Sequence, residues 1–175
     1  MTQGLASASV YRVRQFFAAV TAGHLSEADQ GLVERYLSPA QQRLFERMPA
    51  NDQQHAIAVA RTLLDRGWDG AEVVQAALLH DIGKTDGGLR LVYRVAIVLL
   101  RAVWPAGLRW LADADTGWRR PFYVHVHHPE LGARLAAEAG SSPRVVELIL
   151  SHQSPFKSHA DMNELAALQA ADENS

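Results

Sequence analysis

No cysteine occurs among the 175 residues. That absence excludes disulfides, thiolate metal sites and a thiol nucleophile together. An excess of one charge is missing too. Seventeen basic residues stand against nineteen acidic ones, for a net charge of −2, so a broad nucleic-acid surface is not expected. Alternating apolar and polar runs, Asn-Gly hairpin signals, internal repeats and low-complexity linkers are lacking as well. The first residues, MTQGLASASVYRVRQFF, show no long apolar stretch followed by a small-residue cleavage site, so no secretory signal is read. A cytoplasmic, reducing setting is the expectation.

Long uncharged apolar runs are also scarce. The most apolar segment is Leu89 to Leu111, LRLVYRVAIVLLRAVWPAGLRWL. Its longest uncharged apolar run inside the arginine pattern is Val95 to Leu100, because Arg90, Arg94, Arg101 and Arg109 interrupt it and Pro105 breaks it. A spanning helix needs roughly 20 predominantly apolar residues, so no membrane span is expected. Two readings remain. One is a buried helix whose arginines reach to an edge; the other is a surface that touches a membrane or a second subunit.

What is present is helical periodicity in a chain that is 48% hydrophobic, enough for one compact core. Val10, Val13, Phe16, Phe17 and Val20 mark one face of a first helix. Ser26 with Asp29 forms a capping-box pattern before a helix at Glu27, and Ser38-Pro39 with Gln41 a second. Asn51 is a candidate cap for a long helix stopped by Gly67, and Gly70 precedes a helix running into His80. Pro129 is read as opening a helix ended by Gly140, and Ser142-Pro143 as opening the next. A last helix is expected from about Asp161 to Ala171, with loops at Thr85 to Gly88, Asp113 to Arg120 and Gln153 to Ala160. The predicted fold is all-α, one compact domain of roughly eight to ten helices, with residues 1–50 packed as N-terminal helices on a core of residues 51–175.

The chain has eight histidines, several beside apolar helical runs. Burying that many imidazoles is costly unless each finds a partner, and a metal ion is an efficient common partner. His55 sits on the Asn51 helix. His80 and Asp81 are adjacent in ALLHDIGKT, where Gly83 ends the helix and lets neighbours face one ion. His24 and His159 are read as surface residues. Arg119, Arg120 and Lys157 are solvated charges that could approach an anion.

His55, then LLHDIGK, then Asp172 in LQAADENS resembles the HD superfamily of metal-dependent phosphohydrolases, whose pattern is H…HD…D. Two more stretches are similar to members that hold two metals: His128 in HHPELGARLAAEAG and His152 in LILSHQ. The resemblance runs from about Asn51 to Asp172. It implies that His55, His80, Asp81 and Asp172 hold one divalent ion, and that Asp81 bridges to a second held by His128 and His152. No soft ligand is available, so iron, manganese, zinc or magnesium suits this set. Asp81 and Lys84 are the implied catalytic residues, with Lys84, His127 and Lys157 as contacts to a substrate phosphate. His125 is given no role.

The departures narrow the expectation. Cyclic-dinucleotide phosphodiesterases of the superfamily carry Gly-Tyr-Pro after the second extra histidine; here the chain reads Gln153-Ser154-Pro155-Phe156. Alarmone hydrolases place a Glu-Asp pair in an intervening helix, which Asp113 and Asp115 do not reproduce. The expected activity is hydrolysis of a phosphoester or phosphoanhydride of a small nucleotide or related metabolite. The rival readings are a dinuclear-iron oxygenase on the same scaffold and a metal-holding regulatory module that binds a partner through residues 89–111. A nucleic-acid polymer is not an expected partner, and an oligomer is compatible.

Overall fold

A computed structural model of the chain describes residues 25–87, 91–154 and 162–175. Among them are nine α-helices, two short 3₁₀ segments and no strand. The helices are α1 (Glu27–Tyr36), α2 (Pro39–Glu46), α3 (Ala50–Asp65), α4 (Ala71–Leu79), α5 (Leu91–Val103), α6 (Pro105–Leu111), α7 (Arg120–Glu138), α8 (Pro143–Ser151) and α9 (Met162–Glu173). The 3₁₀ segments are Ile82–Gly87 and Gly117–Arg119. The helix expected at Val10–Val20 lies outside the described residues, as do His24, Lys157 and His159.

Local chemistry accounts for most helix starts. The Ser26 hydroxyl accepts from the Asp29 amide and the Asp29 carboxylate accepts back from the Ser26 amide; Ser38 and Gln41 repeat the exchange. Each such cap contributes about 1 kcal/mol. The Gln41 side chain also donates to the Ser141 hydroxyl at 2.9 Å, tying α2 to the turn before α8. Ser142 caps α8 through the Val145 amide, with Pro143 in the first turn. Gly67 and Gly140 follow α3 and α7 at φ of 81° and 80°, a left-handed backbone that ends a helix at little cost to glycine.

Three expectations need correction. α3 begins at Ala50 with Pro49 in the capping position, and the Asn51 amide donates to Asp52 instead of capping. Thr85 to Gly87 belongs to a 3₁₀ segment, not a free loop, and residues 117–119 form another. Pro129 does not open a helix; it lies inside the 19-residue α7. Proline there removes the N–H that would bond the His125 carbonyl, a defect costing about 3 kcal/mol in an ordinary helix. The structure offsets it, because that carbonyl accepts a hydrogen bond from His128 Nδ1 at 2.7 Å.

One apolar core joins α1 to α4 with α7, α8 and α9. Phe45, Leu63, Leu78, Leu79, Leu148 and Leu168 are fully buried in it. A second, smaller cluster of Ile97, Leu108, Leu111 and Phe122 fastens α5 and α6 onto α7. Arg94 adds a fork to both oxygens of Asp52 at 3.2 Å, holding α5 to α3. The 89–111 segment is thus helical where described and broken at Trp104-Pro105, as the sequence implies. No helix among the described residues is long and apolar enough to cross a membrane.

Candidate metal centre

Three helices end at one place. α4 stops at Leu79 and hands on to His80 and Asp81; α8 stops at Ser151 before His152; α9 carries Asp172 in its last turn. Helix C-termini carry partial negative charge, so three of them beside two carboxylates make a cation-attracting pocket. His55 from α3 and His128 from the middle of α7 complete the ring of side chains.

The change from α-helix to 3₁₀ after Leu79 turns His80 and Asp81 to the same side, which regular helix would not allow. Glycine makes the turn possible. A methyl group on Gly83 would overlap the His128 carbonyl oxygen and stand 2.7 Å from the Gly132 amide nitrogen, so the turn rests directly on α7. Gly83→Ala is therefore expected to destabilise the chain by about 1–3 kcal/mol, the usual range for overpacking. Thermal unfolding and metal content measure it; an unchanged melting temperature with full metal binding would show that the backbones need not touch.

Three imidazoles share one orientation device. His80 Nδ1 donates to the Ala77 carbonyl at 2.8 Å, His128 Nδ1 to His125 at 2.7 Å and His152 Nδ1 to Ile149 at 2.6 Å. A carbonyl oxygen can only accept, so each Nδ1 carries the proton. In the neutral ring Nε2 is then a bare lone pair, and all three Nε2 atoms face inward. Two of these carbonyls are free because the helix has ended, and the third because Pro129 has no N–H.

The inward atoms fall into two sets that share Asp81. Asp81 Oδ2 lies 3.6 Å from His80 Nε2, and Oδ1 lies 3.4 Å from His128 Nε2 and 4.0 Å from His152 Nε2. Asp172 Oδ1 stands 2.8 Å from His55 Nε2 and 3.5 Å from His80 Nε2. Groups able to hold an ion are His55, His80 and Asp81 on one side and Asp81, His128 and His152 on the other. All six expected ligand positions thus converge.

The fit to a cation rests on two observations. His80 Nε2 is buried with no hydrogen-bond partner. An orphaned polar atom in a core costs about 1–3 kcal/mol unless something else satisfies it. His128 Nε2 and His152 Nε2 face each other at 3.2 Å, although both Nδ1 protons are committed to carbonyls. Two lone pairs at that distance repel, whereas two ligands of one ion are separated by about 3.0–3.4 Å for bonds of about 2.1 Å. The donors are imidazole and carboxylate only, compatible with a divalent metal.

Protonation agrees with this role. Burial pushes the His152 pKa down to about 4, and the neighbouring His80 and His128 add to the shift, so the ring is neutral at pH 7. Burial opposes charge on Asp81, yet Lys84, His80 and His128 hold it well below the usual carboxylate range. Asp172 is lowered in the same way: burial opposes ionisation, but the hydrogen bond from His55 and the His80 ring nearby prevail. His80 is the exception: burial opposes its charged form, but Asp81 and Asp172 outweigh burial and raise its pKa, so an ion in the first set would take the place of that proton.

Lys84 Nζ reaches Asp81 Oδ2 at 2.5 Å and remains partly exposed, so it lies at the mouth of the centre. His127 packs its ring on Tyr123, with centroids 4.4 Å apart. The histidine nearer the centre is His125, whose ring is 6.1 Å from that of His128. Burial lowers its pKa to about 4, with His128, Lys84 and Arg101 contributing. His125 and His128 are three residues apart and share a helix face. Placing a helix start at Pro129 hides that relation. Arg119 lies over the Trp110 ring at 4.8 Å, and Arg120 pairs with Asp115 at 2.6 Å.

No curated protein and no solved structure matches the chain. A family model described as HD domain matches residues 53–173, a span that takes in His55, the His80-Asp81 doublet, His128, His152 and Asp172. With that match over more than two thirds of its length, the chain belongs to the HD domain family.

Proposed function

We propose that the chain is a metal-dependent phosphohydrolase that cleaves a phosphoester or phosphoanhydride of a small nucleotide or related metabolite in the cytoplasm. In this reading His55, His80, Asp81 and Asp172 hold one divalent ion, and Asp81, His128 and His152 hold a second. The observation that carries it is the division of the two Asp81 oxygens between two sets of imidazole nitrogens. Two bound cations would clamp a phosphoryl group and lower the pKa of water toward neutrality.

The chain's own residues supply the rest. Helix ends and Nδ1–H bonds hold three imidazoles rigid, so little reorganisation is needed when the site is used. Lys84, paired with Asp81, and His125, beside His128, would meet phosphate oxygens. Lys84 offers a full positive charge, and the neutral His125 ring offers an N–H. The buried Ile82 and Leu79 flank the doublet, and His80 and Asp81 are themselves buried, whereas His55 and Asp172 stay open to solvent.

The test is a hydrolysis screen across nucleotides, dinucleoside polyphosphates and cyclic nucleotides, with manganese, iron, zinc or magnesium added. Turnover of at least one phosphate compound, lost on chelation, is expected. Iron-specific oxygen consumption without phosphate release would transfer the site to oxygenase chemistry. A chain that binds metal and releases phosphate from none of these would remove the hydrolase reading.

A further inference from the structure

α5 is apolar apart from Arg94 and Arg101, yet only part of its apolar surface is covered. Ile97 is buried and Tyr93, Ala96 and Leu100 pack beside it against α7. The adjoining side carries Val92, Val95, Leu99 and Val103, which are 67%, 50%, 58% and 80% exposed. Their spacing of three, four and four residues makes one continuous stripe. A surface helix ordinarily turns polar groups to that side. At the end of the stripe Trp104 and, on α6, Trp110 are also more than half exposed. A contiguous apolar patch of this kind marks an interaction surface.

Charge says which kind. Residues 88–112 contain four arginines and no acidic residue, so the rest of the chain holds all nineteen acids against thirteen bases. Arg101 and Arg109 are exposed at the edges of the patch, and Arg119 lies over Trp110. We propose that α5 and α6 dock the protein on an anionic lipid surface. The valines and Leu99 enter the boundary of the acyl chains, Trp104 and Trp110 sit at headgroup depth, and Arg101 and Arg109 contact lipid phosphates. A second copy of the chain fits less well. A two-fold contact would set the same acid-free, arginine-edged surface against itself, with like charges facing. α5 is too short to span a bilayer but long enough to lie in its interface.

The experiment is co-sedimentation of the full chain with phosphatidylcholine vesicles, with and without phosphatidylglycerol, alongside sedimentation velocity without lipid. The wild type should pellet with the anionic vesicles and be released by high salt. Arg101→Glu with Arg109→Glu should lower the partition coefficient about tenfold or more. Val95→Asp with Leu99→Asp should abolish binding. These side chains face outward, so circular dichroism should stay helical; if the aspartate pair unfolds, the arginine pair carries the test. Absence of wild-type binding to anionic vesicles overturns the proposal. So does a wild-type dimer that the aspartate pair converts to monomer without any vesicle binding, which would assign the face to a second copy.

Discussion

Asp81→Ala is expected to yield a folded chain that retains no ion in either set and releases no phosphate from any substrate the wild type hydrolyses. Among the described residues Asp81 is the one side chain that belongs to both groups: Oδ2 faces His80 and Lys84, and Oδ1 faces His128 and His152. Its loss leaves the His128–His152 pair without a carboxylate, and the first set with Asp172 alone. Metal-assisted charge stabilisation contributes several kcal/mol, so turnover should fall by about three orders of magnitude or more. Folding should survive, since the carboxylate is not part of the apolar core and Lys84 can turn to solvent. Metal content by mass spectrometry, turnover and circular dichroism read these together. Wild-type metal content in the variant would sink the shared-ligand reading.

The second large effect separates two ions from one. His152→Ala should lower bound metal from about two per chain toward one. His152 Nε2 faces His128 and Asp81 Oδ1, while the contacts of Asp172 are with His55 and His80. The first set therefore keeps its ligands, and the helices remain tied together. Turnover should still drop steeply, because both cations act on the same phosphoryl group. His128→Ala should behave alike. An unchanged stoichiometry of one in wild type and variant would leave a single-ion hydrolase with His128 and His152 as hydrogen-bonding residues.

Asp81→Ala tests whether one carboxylate serves both sets, and His152→Ala whether the second set holds its own ion. Neither depends on lipid binding. The outward stripe of α5 is exposed and carries no residue of either ligand set, so its variants should leave metal content untouched. Gly83→Ala acts between these cases. It removes no ligand, but it pushes the turn that carries Asp81 away from the helix that carries His128.

By itself the sequence determined the helical class, most helix ends and the identity of the converging polar residues. These are local or compositional matters. Caps such as Ser26 with Asp29 act over three residues. The spacing of apolar positions is written along each helix, and histidines beside apolar runs announce a shared partner. Tertiary structure decided the rest, because it depends on contacts between distant segments. Pro129 carries a strong local signal for a helix start, yet α7 runs through it: Phe122 on one side packs with α5 and α6, Ala133 and Ala136 on the other pack in the main core, and His128 Nδ1 takes the carbonyl that proline leaves free. The continuity of α7 in turn puts His125, and not His127, on the side of the centre. The outward apolar stripe of α5 follows the same logic. The sequence shows a helix that is apolar apart from Arg94 and Arg101, but only packing against α7 settles which apolar side is covered and which faces outward.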